Sequence, residues 1–183
     1  MAGLGILDDR LQGRLWHAPH PDRFLQVLDT GAIVAHPEIP RSKLWGGTPL
    51  VRALDGVSLF EFANFDVEEY ELKYPSSSWG YFIPHHLNWG VAVWIEIDRQ
   101  SIADTYRSPS SLLQQWKDEE RQAQRIMPGI EAACLGNVPL AAFRSAFVTW
   151  DNGREVRDLS LAIADRQQLL QSIEEWRAHA SQA

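Results

Sequence analysis

Apolar and polar residues in this chain fall into short runs of two different periods, separated by turn residues. The clearest strand is Val91–Ile97, where Val91, Val93, Ile95 and Ile97 alternate with Ala92, Trp94 and Glu96. Short apolar runs at Arg14–Ala18, Val57–Phe62, Ile130–Leu135 and Ala146–Trp150 read as further strands. Helical spacing appears first after Pro21. Phe24, Val27 and Leu28 share one face there, and Gly31 supplies the stop. Phe65–Leu72 reads as a short acidic helix. Ser110 or Ser111 is placed to cap a helix running to about Ile126, with Leu112, Leu113, Trp116, Ala123 and Ile126 inward. Val138–Phe143 reads as a helical turn after the Gly136-Asn137 turn, and Asp151-Asn152-Gly153 as a further turn. Asp158 is placed to cap a last helix with Leu159, Ile163, Leu170, Ile173 and Trp176 on its inner face. Strands and helices mix without strict β-α-β alternation, which predicts an α+β fold around a split, mainly antiparallel central sheet. The expected organisation is a single domain over 1–183, with residues 158–180 as its C-terminal helix.

Composition narrows the function classes. A chain of 183 residues, 45% of them hydrophobic, is long enough to bury a core. The eight tryptophans are expected in that core or along a groove. A net charge of −7 disfavours a broad phosphate-tracking surface, while leaving room for a small nucleotide pocket. Cys134 is the single cysteine, which excludes an internal disulfide and a multi-cysteine metal site, and it reads as a small core residue. No apolar run has the length of a membrane span, and the first residues carry no signal-peptide pattern. A cytoplasmic location is the expectation.

Three local motifs stand out in order. Leu15-Trp16-His17-Ala18 leads directly into the helix that ends at Thr30-Gly31. Gly56-Val57-Ser58-Leu59-Phe60 is followed by Tyr70 and Tyr74. Ile130-Glu131-Ala132-Ala133-Cys134-Leu135 is followed by Gly136-Asn137-Val138-Pro139. Together, over roughly residues 13–150, they resemble the ADP-ribosyltransferase-like superfamily, in the branch with histidine on the first strand. The resemblance implies NAD as a substrate. His17 would bond a ribose hydroxyl, Ser58 would line the cleft, and Tyr70 would stack on nicotinamide. Glu131 would stabilise the positive charge that develops as the glycosidic bond breaks. The acceptor would be a protein or a nucleic acid. A toxin or phage-conflict setting is implied by analogy.

The sequence also departs from the family. Gly129 stands where arginine-modifying relatives carry Gln or Glu, which disfavours arginine as the acceptor. Ser58 stands where the histidine branch often has tyrosine, and the basic set of the RNA 2′-phosphotransferases is missing. A second reading is therefore a non-catalytic module that binds a nucleotide or a protein, of antitoxin, inhibitor or immunity type.

Other constellations are weaker. His17, His20 and His36 are loosely spaced for zinc, and the expectation is no metal. Glu96 and Asp98 share a strand face but lack a third acid at a telling distance. The irregular segment Pro75–Trp89, with Trp79, Tyr81, His85 and His86, is expected to border the cleft. Lys117 to Arg121 reads as a solvated helix face.

Overall fold

The computed structural model describes residues 10–19, 21–37, 48–63, 65–75, 92–120, 123–150, 155–162 and 165–180. The expected cleft-bordering segment, apart from Pro75, and the Asp151-Asn152-Gly153 turn lie outside them. The fold is α+β. Seven strands form one sheet, and every pairing in it is antiparallel. The strands are β1 (Leu15–His17), β3 (Gly56–Glu61), β4 (Ala92–Ile97), β5 (Tyr106–Arg107), β6 (Glu131–Leu135), β8 (Phe143–Trp150) and β9 (Glu155–Leu159). Their order across the sheet is β5-β6-β3-β1-β4-β8-β9. β2 (Ala32–Ile33) and β7 (Val138–Pro139) make a separate two-stranded ladder.

The alternation written into β4 sorts its residues between the two sides of the sheet. Val93, Ile95 and Ile97 join Leu15, Val57, Leu59, Ala132 and Cys134 on one side. That side is covered by Phe24, Leu25 and Leu28 of α1 (Pro21–Thr30) and by Leu169 and Ile173 of α5 (Arg166–Ala180). The other side is aromatic: Trp16, Phe60, Trp94 and Phe147 pack with Phe62, Tyr70, Met127 and Ile130. Leu50 and Val51 of α2 (Leu50–Ala53) and Leu112 of α4 (Pro109–Asp118) close over Ala133. Each such side chain contributes roughly 1.5–3 kcal/mol on burial. α3 (Val67–Lys73) is started by Asp66, whose carboxylate accepts from the Glu69 amide.

Several expected boundaries are corrected. α1 ends at Thr30, and Gly31 follows at φ +67, as a helix stop requires. α4, however, is capped by Ser108 with Pro109 at its first position, not by Ser110 or Ser111. It ends at Asp118, well short of Ile126, because Glu120 turns into the left-handed region at φ 49. Val138–Pro139 is a strand, and only Leu140–Ala142 forms a helical turn. The largest correction is at the C-terminal end. Asp158 does not cap a helix but lies inside edge strand β9, where it pairs with Arg10 at 2.5 Å. α5 begins at Arg166. It buries Leu169 and Ile173, while Leu170 is 38% exposed and Leu159 belongs to β9.

Candidate functional site

The sheet is thinly paired at its middle. β3 and β6 pair through five residues and β4 and β8 through six, but β1 and β3 pair only through Leu15↔Glu61 and Trp16↔Phe60. Beyond Trp16 the two strands part, and among the described residues the first half of β3 has no strand partner on its β1 side. The backbone groups left there need another partner. His17, the last residue of β1, supplies one: its Nδ1 lies 2.9 Å from the Ser58 carbonyl oxygen. A carbonyl only accepts, so Nδ1 carries the proton and donates. The neutral ring is left with a lone pair on Nε2. Burial lowers the His17 pKa to about 4, against the smaller opposing effect of the Ser58 bond. The ring is therefore neutral at physiological pH, and Nε2 is a fixed acceptor.

Ser58 reaches the other way with its side chain. Its hydroxyl donates to Glu131 Oε1 at 2.7 Å, and Glu131 Oε2 accepts from the Met127 amide at 2.9 Å. Glu131 is 4% exposed, one of two buried polar residues among those described. Burial raises its carboxyl pKa. The bonds from the Met127 amide and Ser58 act in the opposite sense.

Three of the four sequence-selected residues are thus joined: His17 to the Ser58 carbonyl, and the Ser58 hydroxyl to Glu131. The resemblance implies a single cleft touched by both His17 and Glu131, on neighbouring strands facing one groove, and the structure corrects this. β3 stands between their strands. Glu131 pairs with Phe60 and shares the side of Trp16, whereas His17 pairs with Ile95 on the opposite side. Ser58 bridges the sheet through its two ends, backbone and hydroxyl. Tyr70 is on the aromatic side but 6% exposed, with ring centroids 5.4 Å from Phe65 and 5.1 Å from Tyr74.

The remaining constellations are occupied otherwise. Glu96 accepts from Ser145 Oγ at 2.7 Å and faces Arg14, while Asp98 accepts from Arg144 and Ser101, both at 2.8 Å. His36 bonds Asp55 at 2.8 Å, and His20 lies outside the described residues. Among the described residues, no three His, Cys, Asp or Glu side chains gather as metal ligands would. Cys134 is buried. No described helix is long and apolar enough to cross a membrane. Sequence reasoning missed a second carboxylate group nearby. Glu61, at the end of β3, accepts from the Tyr106 hydroxyl and from Arg99, and burial is the chief cause of a raised Tyr106 pKa. A glutamate closing an apolar strand was its only sequence signal. No family model, curated protein or solved structure matches this chain.

Proposed function

We propose that this protein binds NAD where β1 and β3 part and transfers its ADP-ribosyl group to a protein or nucleic-acid acceptor. The setting is the cytoplasm, in toxin or phage conflict. The observation that supports this reading is the linkage of His17, Ser58 and Glu131, residues singled out from three separate motifs. The neutral His17 ring offers Nε2 to a ribose hydroxyl. In the reaction the bond between nicotinamide nitrogen and ribose C1′ breaks, and its electron pair leaves with nicotinamide. An acceptor nucleophile then adds at C1′ and loses its proton. Glu131 lies across β3 from His17 and does not touch the same ribose. Its negative charge acts at a distance, through the Ser58 hydroxyl it accepts from, as the ribose becomes cationic, provided Glu131 is ionised. Its raised pKa makes that ionisation the acid limit of the reaction.

One observation favours a second reading. Glu131 is almost wholly buried and both its oxygens are engaged, as a structural strut would be. In that reading the fold is a non-catalytic module that binds a nucleotide or a protein. Labelled NAD incubated with the protein and cell lysate, followed by separation of protein from nucleic acid, distinguishes the two. Label on either fraction, with nicotinamide released by wild type and not by Glu131→Gln, supports transfer. Bound NAD that is never cleaved supports the second reading, and the absence of both binding and cleavage removes NAD from the account.

A further inference from the structure

Away from the parted strands lies a cleft of about 570 Å³, between the C-terminal end of α3, the body of α4 and the end of β3. Its size falls in the range of small-molecule sites. It is lined by Glu61, Lys73, Tyr74, Ser108, Ser110 and Lys117, among others. The chain has three lysines, and two of them, from different helices, meet here. That placement is notable in a protein of net charge −7.

Each lysine taken alone has a bland explanation. Both occupy the last turn of their helix, where a cation offsets the helix dipole by roughly 0.3–1 kcal/mol. The dipole does not explain why the two converge. Neither forms an ion pair among the described residues. The acids at hand are otherwise engaged. Glu61 is neutralised by Arg99, and Asp118 accepts from Gln114 Nε2 at 2.7 Å. Both lysines are solvent-exposed, so the cleft presents two cations to an anion arriving from solution. Lys73 Nζ is also steadied over the Tyr74 ring, 5.6 Å from its centroid.

The remaining groups narrow the ligand. Ser108 and Ser110 hydroxyls lie 3.0 Å apart, so one donates to the other and the second keeps a proton for an incoming oxygen. Each Glu61 oxygen has a lone pair beyond those used by Arg99 and Tyr106, which suits a hydroxyl donor. We propose that this cleft is a site for a small phosphorylated, hydroxyl-bearing molecule, a sugar phosphate or a nucleoside monophosphate, whose phosphate sits between Lys73 and Lys117. None of His17, Ser58 and Glu131 lines it, so the site stands independently of the NAD reading.

Calorimetric titration of the full chain with AMP, ribose 5-phosphate, adenosine and inorganic phosphate tests this. AMP or ribose 5-phosphate is expected to bind saturably and more tightly than phosphate alone, and adenosine not at all. Tighter AMP identifies a nucleotide site; equal binding identifies a sugar-phosphate site. The doubly substituted Lys73→Met/Lys117→Met protein should lose ~10-fold or more in affinity, because charge-assisted contacts dominate phosphate recognition. Lys73→Arg/Lys117→Arg should retain most of it. Near-UV circular dichroism confirms that the folds match. Loss of binding in His17→Gln but not in the lysine variant would place the phosphate at the parted strands and overturn the proposal. So would unaltered binding by the double methionine variant, phosphate binding as tightly as either ester, or no saturable heat from any probe up to about 10 mM.

Discussion

The β4–β8 ladder and the β1–β3 junction belong to one sheet but solve opposite problems. In the ladder, six pairs, in unbroken register from Ala92 to Glu96 with one bulge before Ile97, satisfy the backbone, and Val93, Trp94 and Ile95 are each 0% exposed. At the junction two pairs are all that β1 and β3 make, and the backbone beyond them is satisfied by a side chain, His17. The same residues that close this gap carry neutral imidazole, hydroxyl and carboxylate groups into the middle of the sheet. Continuous pairing gives stability; interrupted pairing leaves polar groups held in place by one another. Substitutions in the two regions should therefore fail in different ways.

The largest effect is expected in the ladder. Trp94→Ala empties a fully buried site between Phe60, Phe62 and Phe147 and should cost ~3–5 kcal/mol in denaturant unfolding. Any ligand affinity of the fraction that remains folded should be unchanged. Trp94→Phe should cost much less than that truncation, since the indole N–H is buried without a partner among the described residues. A ladder substitution that spared stability but removed binding would break the contrast.

Glu131→Gln should do the reverse. It should lower nicotinamide release ~100-fold or more. At neutral pH the gain from removing a buried charge offsets the loss of one hydrogen bond from Met127 or Ser58, leaving the variant's stability within ~1 kcal/mol of wild type. Its stability should also depend less on pH. A raised folded-state pKa means that the folded form holds the proton more tightly, so the wild-type group loses stability as pH rises above its ordinary 4.5. A glutamine lacks that loss. Turnover equal to wild type would assign the chemistry elsewhere.

His17 carries the opposite sign. Its pKa falls from 6.5 to about 4 on folding, so the unfolded chain binds more protons between those values. Wild-type stability should rise with pH across that window and level off above it, by about 1–3 kcal/mol for a partly exposed ring. His17→Gln should flatten the slope in urea titrations run across the same window. A slope that survives the substitution would show that the ring is not the group responsible.

The smallest effect separates the two ends of Ser58. Ser58→Ala removes the hydroxyl that donates to Glu131 but keeps the carbonyl that binds His17. It should cost ~1 kcal/mol and move the Glu131 titration upward in carboxyl-carbon NMR, with the His17 midpoint unmoved. Equal shifts at both residues would mean that they respond to a general loosening and not to Ser58's two bonds.

Local pattern made much of this legible. The alternation at Val93, Ile95 and Ile97 sorted β4 between the sheet's two sides, and Gly31 marked the end of α1, because each signal depends only on neighbouring residues. β9 was missed for the same reason. Glu155-Val156-Arg157-Asp158-Leu159 is a polar strand at the sheet edge, where one neighbour suffices and little is buried, so its residues show no apolar period. The α4 cap was misplaced at Ser110 or Ser111 because three serines crowd the start. The structure settles on Ser108, whose Oγ accepts from the Ser111 amide.

The sequence by itself determined the fold class and which residue types stood out: a histidine closing one strand, a serine within a second, a glutamate opening a third. Only the tertiary structure decided that β3 separates the strands of His17 and Glu131, that the two point to opposite sides of the sheet, and that Ser58 connects them. It also buried Tyr70 between Phe65 and Tyr74 and brought Lys73 and Lys117 to one cleft. Strand order, register and helix docking are contacts between residues far apart in the chain. Shifting a strand's register by one residue reverses the side to which every one of its residues points, and no local pattern reports that choice.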